Sequence, residues 1–210
     1  MTFLEKLKIR RGYNFNRIVT MTLINILKGK VINDNNVHLE YYKPKHKSFI
    51  FICNHTESFD PGYEMAAMKK YIRYVASDHT TRMKTGWLYT VIGGVIIKHR
   101  DKPSKILTDE IIKNLKAGIP VGLHAEGAMT SNGQTGFISE HTGQLVKDSG
   151  AALITYRFVG GYLRKPRWAE SPRSGPIIGH VVGEYSPEEL AQMSVEEVNE
   201  AIARDIYHKR

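Results

Sequence analysis

The sequence has very little cysteine and no long apolar run. Cys53 is its single cysteine, so no disulfide bond can form within the chain of 210 residues. No apolar stretch approaches the roughly 18 residues that a membrane-spanning helix requires. The N-terminus also lacks the apolar core followed by small residues that marks a cleaved secretory signal. We therefore expect a cytoplasmic protein, long enough for one domain and a small appendage.

Several catalytic motifs are absent as well. There is no phosphate-binding P-loop and no Gly-x-Gly-x-x-Gly fingerprint, which argues against nucleotide hydrolysis and dinucleotide redox chemistry. The Gly-x-Ser-x-Gly elbow is missing, so Ser58 lacks the setting of a hydrolase nucleophile. No His-Glu-x-x-His zinc site exists, and the His-x-Glu sequences at His55 and His124 lack the paired cysteines of zinc deaminases. We expect neither a bound metal nor a bound cofactor.

Acidic residues are scarce at the N-terminus, where Glu5 is the only acid among residues 1–30. The basic residues of this segment are Lys6, Lys8, Arg10, Arg11, Arg17, Lys28 and Lys30. Its apolar residues recur at helical spacing in a stripe of Phe15, Val19, Leu23, Ile26 and Leu27. The pattern is typical of a basic amphipathic helix that lies in a membrane interface. The alternative, which the sequence leaves open, is that this stripe packs on the protein core and the lysines are merely solvated.

The whole chain carries a formal net charge of +9, with a pI of about 9.5. Such a charge suits anionic partners. The positive residues are spread along the chain and match no nucleic-acid-binding motif, so we expect no nucleic acid partner. Together with the basic helix, the charge predicts a peripheral protein on the cytoplasmic side of the cell membrane, with an anionic membrane surface as partner.

Strands and helices of ordinary length alternate along most of the chain. The predicted strands are 37–42, 48–53, 72–76, 95–98, 119–124, 151–156 and 177–182. Three of the predicted helices are 61–71, 82–92 and 139–147. A fourth has Leu107, Ile111 and Leu115 on one face, and two more begin at capping boxes at Ser186 and Ser194. We predict an α/β fold with a mixed, largely parallel sheet flanked by helices. An N-terminal helical segment, 1–36, precedes the main domain, 37–210.

The most informative stretch follows an apolar run, Phe49 to Cys53, that reads as a buried strand. Asn54 and His55 come directly after it, and Asp60 lies five positions beyond the histidine. Ligands of open α/β sheets gather beyond the carboxyl ends of strands. If the chain turns between them, Asp60 accepts a hydrogen bond from one ring nitrogen of His55 and leaves the other as a base. Alternatively, Asp60 only caps the next helix and His55 is an ordinary loop residue.

Three later segments also place polar residues at predicted strand ends. Lys98 and Arg100 end the fourth strand, and Arg100 can hold a phosphate in a fork geometry. Glu126 and Gly127 follow the fifth strand, where the acid can hold a hydroxyl and the glycine lets backbone approach a ligand. Arg157 follows the sixth strand and is a further candidate phosphate contact. Taken singly, each segment is better explained as a solvated loop with incidental charge.

The order of these segments resembles the glycerolipid acyltransferase superfamily, specifically bacterial 1-acyl-glycerol-3-phosphate acyltransferases. That family has an Asn-His-x4-Asp block, a Gly…Arg block, a Pro-Glu-Gly block and an aliphatic strand block. The matching segments are Asn54-His55…Asp60, Gly94…Arg100, Glu126-Gly127 and Ala151 to Tyr156. The resemblance extends over roughly residues 37–185, and its first block is the specific one.

The resemblance implies transfer of a fatty acyl group from acyl-CoA or acyl carrier protein to the free hydroxyl of 1-acyl-glycerol-3-phosphate. It implies that His55, oriented by Asp60, removes the hydroxyl proton. Arg100 would bind the acceptor phosphate, with Lys98 and Arg157 as possible further contacts. The substrate-binding set implied by the family blocks is Asn54, Arg100, Glu126 and Gly127.

The chain departs from the family pattern in the acceptor-binding part. Ala125 stands where the family usually has proline, and Ala128 and Met129 stand where a Thr-Arg pair is common. The sequence therefore leaves the acceptor open, and another lysolipid or glycerol-3-phosphate is an alternative. A non-enzymatic protein that binds anionic membranes or nucleic acid is an alternative of another class.

Overall fold

The computed structural model describes residues 2–27, 36–164, 170–171, 173 and 175–207. Within these residues the strands are β1 (Val37–Leu39), β2 (Phe49–Cys53), β3 (Arg73–Ser77), β4 (Ile96–Lys98), β5 (Val121–His124), β6 (Ala152–Val159) and β7 (Ile177–Tyr185). The α-helices are α1 (Phe3–Leu27), α2 (Asp60–Met68), α3 (Asp78–Arg82), α4 (Ser104–Lys116), α5 (His141–Ser149), α6 (Gly161–Arg164), α7 (Pro187–Gln192) and α8 (Val195–Ile206). A π-helix spans Leu88–Ile92.

The strands form one seven-stranded sheet in the order β1-β7-β6-β2-β5-β3-β4. Every neighbouring pair is parallel except β6 with β7, which is antiparallel. The sheet is therefore mixed and largely parallel, and helices flank it. This confirms the predicted fold class.

The central strand β2 shows how the layers are held together. All five of its residues are fully buried. Phe49 and Phe51 join the core that α1 and α2 cover, whereas Ile50 and Ile52 join the core that α4, α5 and α8 cover. Successive side chains of a strand point to opposite faces. An unbroken apolar run is therefore expected where helices cover both sides of a sheet.

Some predicted boundaries differ from the structure. The predicted helix over 82–92 is instead the short helix α3, which ends at Arg82, a turn, and then the π-helix. Gly86 explains the break, because a Cβ there would come within 1.8 Å of the Thr81 carbonyl oxygen. The chain thus folds back at a point that only glycine tolerates. Helix α2 ends earlier than predicted, with Lys69 in the left-handed region at φ 47°.

Helix α1 packs on the domain through a face other than its apolar stripe. Asn16 and Thr20 are buried and donate hydrogen bonds to the carbonyl oxygens of the π-helix. Ile24 is 4 % exposed and belongs to the core. By contrast, Phe15 and Ile26 of the predicted stripe are 58 % and 65 % exposed. The stripe therefore does not pack on the core at these two positions.

The predicted domain boundary after residue 36 stays a prediction. Helix α1 ends at Leu27, whose side chain lies outside the described part, as do residues 28–35. No helix in the described ranges combines the length and apolar character needed to cross a bilayer.

Candidate active site

The candidate site lies at the carboxyl edge of the parallel strands. His55 follows β2, and the register pairs Cys53 of β2 with His124, the last residue of β5. Strands β3 and β4 run in the same direction beyond β5. The residues that follow these strands therefore meet along one edge, where open α/β sheets bind their ligands.

The structure brings His55 and Asp60 together. His55 Nδ1 lies 3.0 Å from Asp60 Oδ2. Asp60 is fully buried, and its carboxylate also accepts hydrogen bonds from the Thr56 amide at 2.6 Å, the Glu57 amide at 2.9 Å and the Thr56 hydroxyl at 2.9 Å. These bonds fold residues 55–60 into the turn that lets the two side chains meet. Asp60 therefore both opens α2 and holds the histidine ring.

This arrangement fixes the tautomer of His55. A carboxylate can only accept, so Nδ1 carries the proton and Nε2 is left with its lone pair. Nε2 has no hydrogen-bond partner among the described residues, and the side chain is 20 % exposed. Burial lowers the pKa of His55, the neighbouring His124 ring lowers it further, and Asp60 only partly opposes this. His55 is therefore a neutral base at neutral pH.

Glu126 is tied to the backbone around the histidine. One carboxylate oxygen accepts the His55 amide at 2.7 Å, and the other accepts the Gly136 amide at 2.5 Å. Burial raises the pKa of Glu126, although these two amides oppose the rise. Gly127 has a φ of +67° and donates its amide to the His124 carbonyl, which turns the chain sharply after β5. Glu126 thus fixes the main chain at His55, and its predicted contact with the acceptor stays a prediction.

Asn54 is likewise bonded to the protein itself. Its side-chain amide donates to the Phe158 carbonyl at 2.9 Å, and its side-chain oxygen accepts the Phe158 amide at 2.8 Å. The pair extends the β2–β6 ladder by one step and sets where His55 leaves the sheet. The predicted contact of Asn54 with substrate stays a prediction.

The three candidate phosphate contacts lie in different places. Lys98 and Arg100 are exposed at the end of β4. This strand is three positions from β2 in the sheet, or about 14 Å along the same edge. Arg157 donates from Nε to the Asp205 carbonyl at 2.7 Å and from Nη2 to the Arg204 carbonyl at 3.0 Å. It therefore caps the carboxyl end of α8, and its predicted role stays untested.

Comparison with known proteins identifies the family. A model of the Acyltransferase family matches residues 34–159, a range that contains all of the site residues described above. The chain belongs to this family. No curated protein sequence matches it at a significant level.

The fold of this acyltransferase also matches a solved structure. The crystal structure of the 1-acyl-sn-glycerophosphate (LPA) acyltransferase PlsC from Thermotoga maritima superposes with a TM-score of 0.71 and 17 % sequence identity. The match covers 88 % of this chain and 77 % of that one. The shared fold and the family membership confirm the resemblance seen in the sequence. They also set aside the non-enzymatic alternative.

Sequence reasoning missed a second pair in this acyltransferase. His124 Nε2 lies 3.2 Å from Glu64 Oε1, and the Tyr74 hydroxyl donates to the other oxygen of Glu64. The His124 ring stacks on the His55 ring, with centroids 4.0 Å apart and planes 9° apart. Two signals could have pointed to it. His124 ends a predicted strand, and Glu64 lies one helical turn after Asp60, on the same face of the predicted helix.

Two groups of His and carboxylate side chains bring donor atoms within 4.8 Å of one another in the described ranges. They are His55, Asp60 and His124, and Asp78, His99 and Asp101. In the first group the carboxylate already accepts three other donors besides the histidine, as described above. In the second, Asp78 is paired with the exposed Arg82 at 2.8 Å. The expectation that the enzyme uses no metal stays a prediction.

Proposed function

We propose that this acyltransferase moves a fatty acyl group from acyl-CoA or acyl carrier protein to the free hydroxyl of 1-acyl-glycerol-3-phosphate, giving phosphatidic acid. The observation that carries the proposal is the His55–Asp60 pair at the sheet edge, with Nε2 free to accept a proton. The solved structure of similar fold is that of a 1-acyl-sn-glycerophosphate acyltransferase, which supports the same choice of acceptor here.

The geometry supports direct transfer without an acyl-enzyme. His55 Nε2 takes the proton of the acceptor hydroxyl while its oxygen attacks the thioester carbonyl. The tetrahedral intermediate then collapses, the C–S bond breaks, and the proton passes from His55 to the departing thiolate. Asp60 keeps Nδ1 protonated throughout and stabilises the transient imidazolium. The products are the acylated acceptor and the free thiol, and no further reactant is needed.

The acceptor phosphate is assigned to the cationic end of β4. Lys98 and Arg100 are exposed and chemically suited to a phosphate. Strand β5, which Glu126 and Gly127 follow, lies between β2 and β4 in the sheet. Another lysolipid or glycerol-3-phosphate is the alternative acceptor, because Ala128 and Met129 replace the Thr-Arg pair common in the family.

The enzyme is also proposed to work at the cytoplasmic face of the cell membrane as a peripheral protein. The outer face of α1 exposes Phe15, Ile18 and Ile26 among basic residues. On the packed face of the same helix, Asn16 donates hydrogen bonds to the carbonyls of Val91 and Ile92 and so holds the π-helix against α1. Exposed Trp87 and Val91 belong to that neighbouring region, at 57 % and 60 % exposure. Exposed apolar side chains on a helix that also carries basic residues suit an anionic lipid surface.

The test of the chemistry is an acyl-transfer assay with purified protein. Labelled acyl-CoA or acyl carrier protein is offered with 1-acyl-glycerol-3-phosphate, a second lysophospholipid or glycerol-3-phosphate. We expect His55→Ala to reduce kcat by about 10²- to 10⁴-fold, because the general base is lost, and Asp60→Asn to reduce it as well. His38→Ala, an exposed histidine on the far edge strand β1, is the control. Equal rates for wild type and His55→Ala would disprove the mechanism, and the preferred acceptor decides among the alternatives.

A further inference from the structure

The site contains two His–carboxylate pairs rather than one. His55 pairs with Asp60, and His124 pairs with Glu64, with both carboxylates fully buried on α2. The two rings lie face to face at 4.0 Å. The first pair is accounted for by the reaction, but the mechanism above makes no use of the second.

The described titratable groups that act on these two rings or on their carboxylates come from four elements. They are Cys53 at the end of β2, Asp60 and Glu64 on α2, Tyr74 on β3, and His124 with Glu126 at the end of β5. The largest influences on the pKa of both rings are burial and the charges of this group. The charge state of His55 is therefore set inside this small buried group.

We propose that His124, ion-paired with Glu64, is a positioning residue that holds the His55 ring by stacking and keeps it in the neutral form that accepts a proton. This inference rests on the proposed acyl transfer, because that reaction needs a neutral His55. The stacking and the charge effect between the two rings do not depend on that reaction. His124 touches neither of the reacting atoms, so it acts through His55.

The electrostatics of the pair support this role. Burial lowers the pKa of His124, but the Glu64 carboxylate, helped by Asp60 and Glu126, more than offsets burial, and the pKa is raised. Of the two rings, His124 is therefore the one that takes up a proton more readily. A positive charge at stacking distance disfavours a second one on His55. His55 consequently stays neutral, and after taking the hydroxyl proton it readily passes that proton on to the thiolate.

Packing holds the second pair in place. Glu64 accepts from His124 on one oxygen and from the Tyr74 hydroxyl on the other, so both oxygens have partners. The Tyr74 ring lies nearly parallel to His124, at 5.9 Å and 21°. Gly122 leaves room for it, since a Cβ there would lie 2.4 Å from the tyrosine ring. A buried carboxylate with this packing keeps its partner ring both charged and oriented.

The decisive experiment compares wild type with His124→Phe, which keeps a flat ring for stacking and removes the charge. The pKa of His55 is measured by NMR titration of the full chain, and the acid limb of kcat/KM is followed in parallel. We expect both to move upward by about one pH unit, because a like charge beside His55 has gone. His38→Phe, on the far edge of the sheet, is the matched control and should leave both unchanged. An unshifted His55 in folded His124→Phe overturns the proposal.

A second variant covers the case in which the phenylalanine disturbs folding. In Glu64→Gln the burial of His124 is no longer offset, so the NMR pKa of His124 should fall. An unchanged His124 titration would overturn the pairing. The NMR readouts need no substrate, so a shifted His55 in a protein that acylates no acceptor would refute the proposed function while upholding the positioning role.

Discussion

Asn54 shows how a residue beside the proposed catalytic base can act on the fold instead of on the substrate. Its side chain imitates a strand residue, because one oxygen and one amide group satisfy both backbone groups of Phe158. Phe158 is only 1 % exposed, so both of these backbone groups are buried. Water therefore cannot replace the lost partners.

Replacing Asn54 by alanine should reduce stability. The change leaves a buried amide and a buried carbonyl without partners, which costs about 1–3 kcal/mol for each such group. We expect a lower free energy of unfolding in urea. We expect kcat to fall only to the extent that the substitution displaces the His55 side chain. Ser58→Ala, an exposed residue of the same loop, is the control. Unchanged stability together with a raised KM would return Asn54 to the substrate-binding role predicted from the sequence.

Residue spacing predicts part of the site and not the rest. His55 and Asp60 are close in sequence and flank a turn, so their meeting could be inferred from local chain geometry alone. His124 and Glu64 are 60 positions apart. They meet because β5 pairs with β2 and because α2 turns Glu64 toward that pair of strands. Such a contact depends on strand order, which hydrophobic periodicity does not specify.

The elements themselves follow local rules to different degrees. Both capping boxes form as predicted, with Ser186 bonded to Glu189 and Ser194 to Glu197 in each direction. Their signal is contained in four consecutive residues. The π-helix was not predicted, because it depends on tertiary partners: the buried side chains of Asn16 and Thr20 hold its last carbonyls.

Helix α1 is the element whose outer surface carries a prediction. Replacing exposed Phe15 and Ile26 together by glutamate should weaken binding to liposomes about ten-fold or more. The reason is that two apolar side chains would no longer be buried in the lipid. The matched control is Asn14→Glu with Asn25→Glu, since both asparagines are exposed on the same helix. It adds the same charge and spares the apolar side chains. Equal losses in the two double variants would show that charge alone governs binding.

At the scale of the whole molecule, a net charge of +9 acts on every partner that the proposed reaction requires. The donor, the phosphorylated acceptor and the anionic membrane are all negatively charged. Electrostatic attraction of this kind raises encounter rates and falls with ionic strength. The apolar face of α1, in contrast, is not weakened by salt. The two contributions to membrane binding can therefore be separated in one experiment.

We predict that binding to vesicles containing anionic lipid falls steeply between about 0.1 M and 1 M NaCl, because the screening length shortens from about 10 Å to about 3 Å. Binding to purely zwitterionic vesicles should be weak at both salt concentrations. Flotation with the two vesicle types measures this directly, and activity on a soluble short-chain acceptor serves as the control for salt effects on the chemistry. Binding that is equal on both vesicle types and insensitive to salt would mean that the apolar face of α1 suffices, and that the positive charge serves the substrates alone.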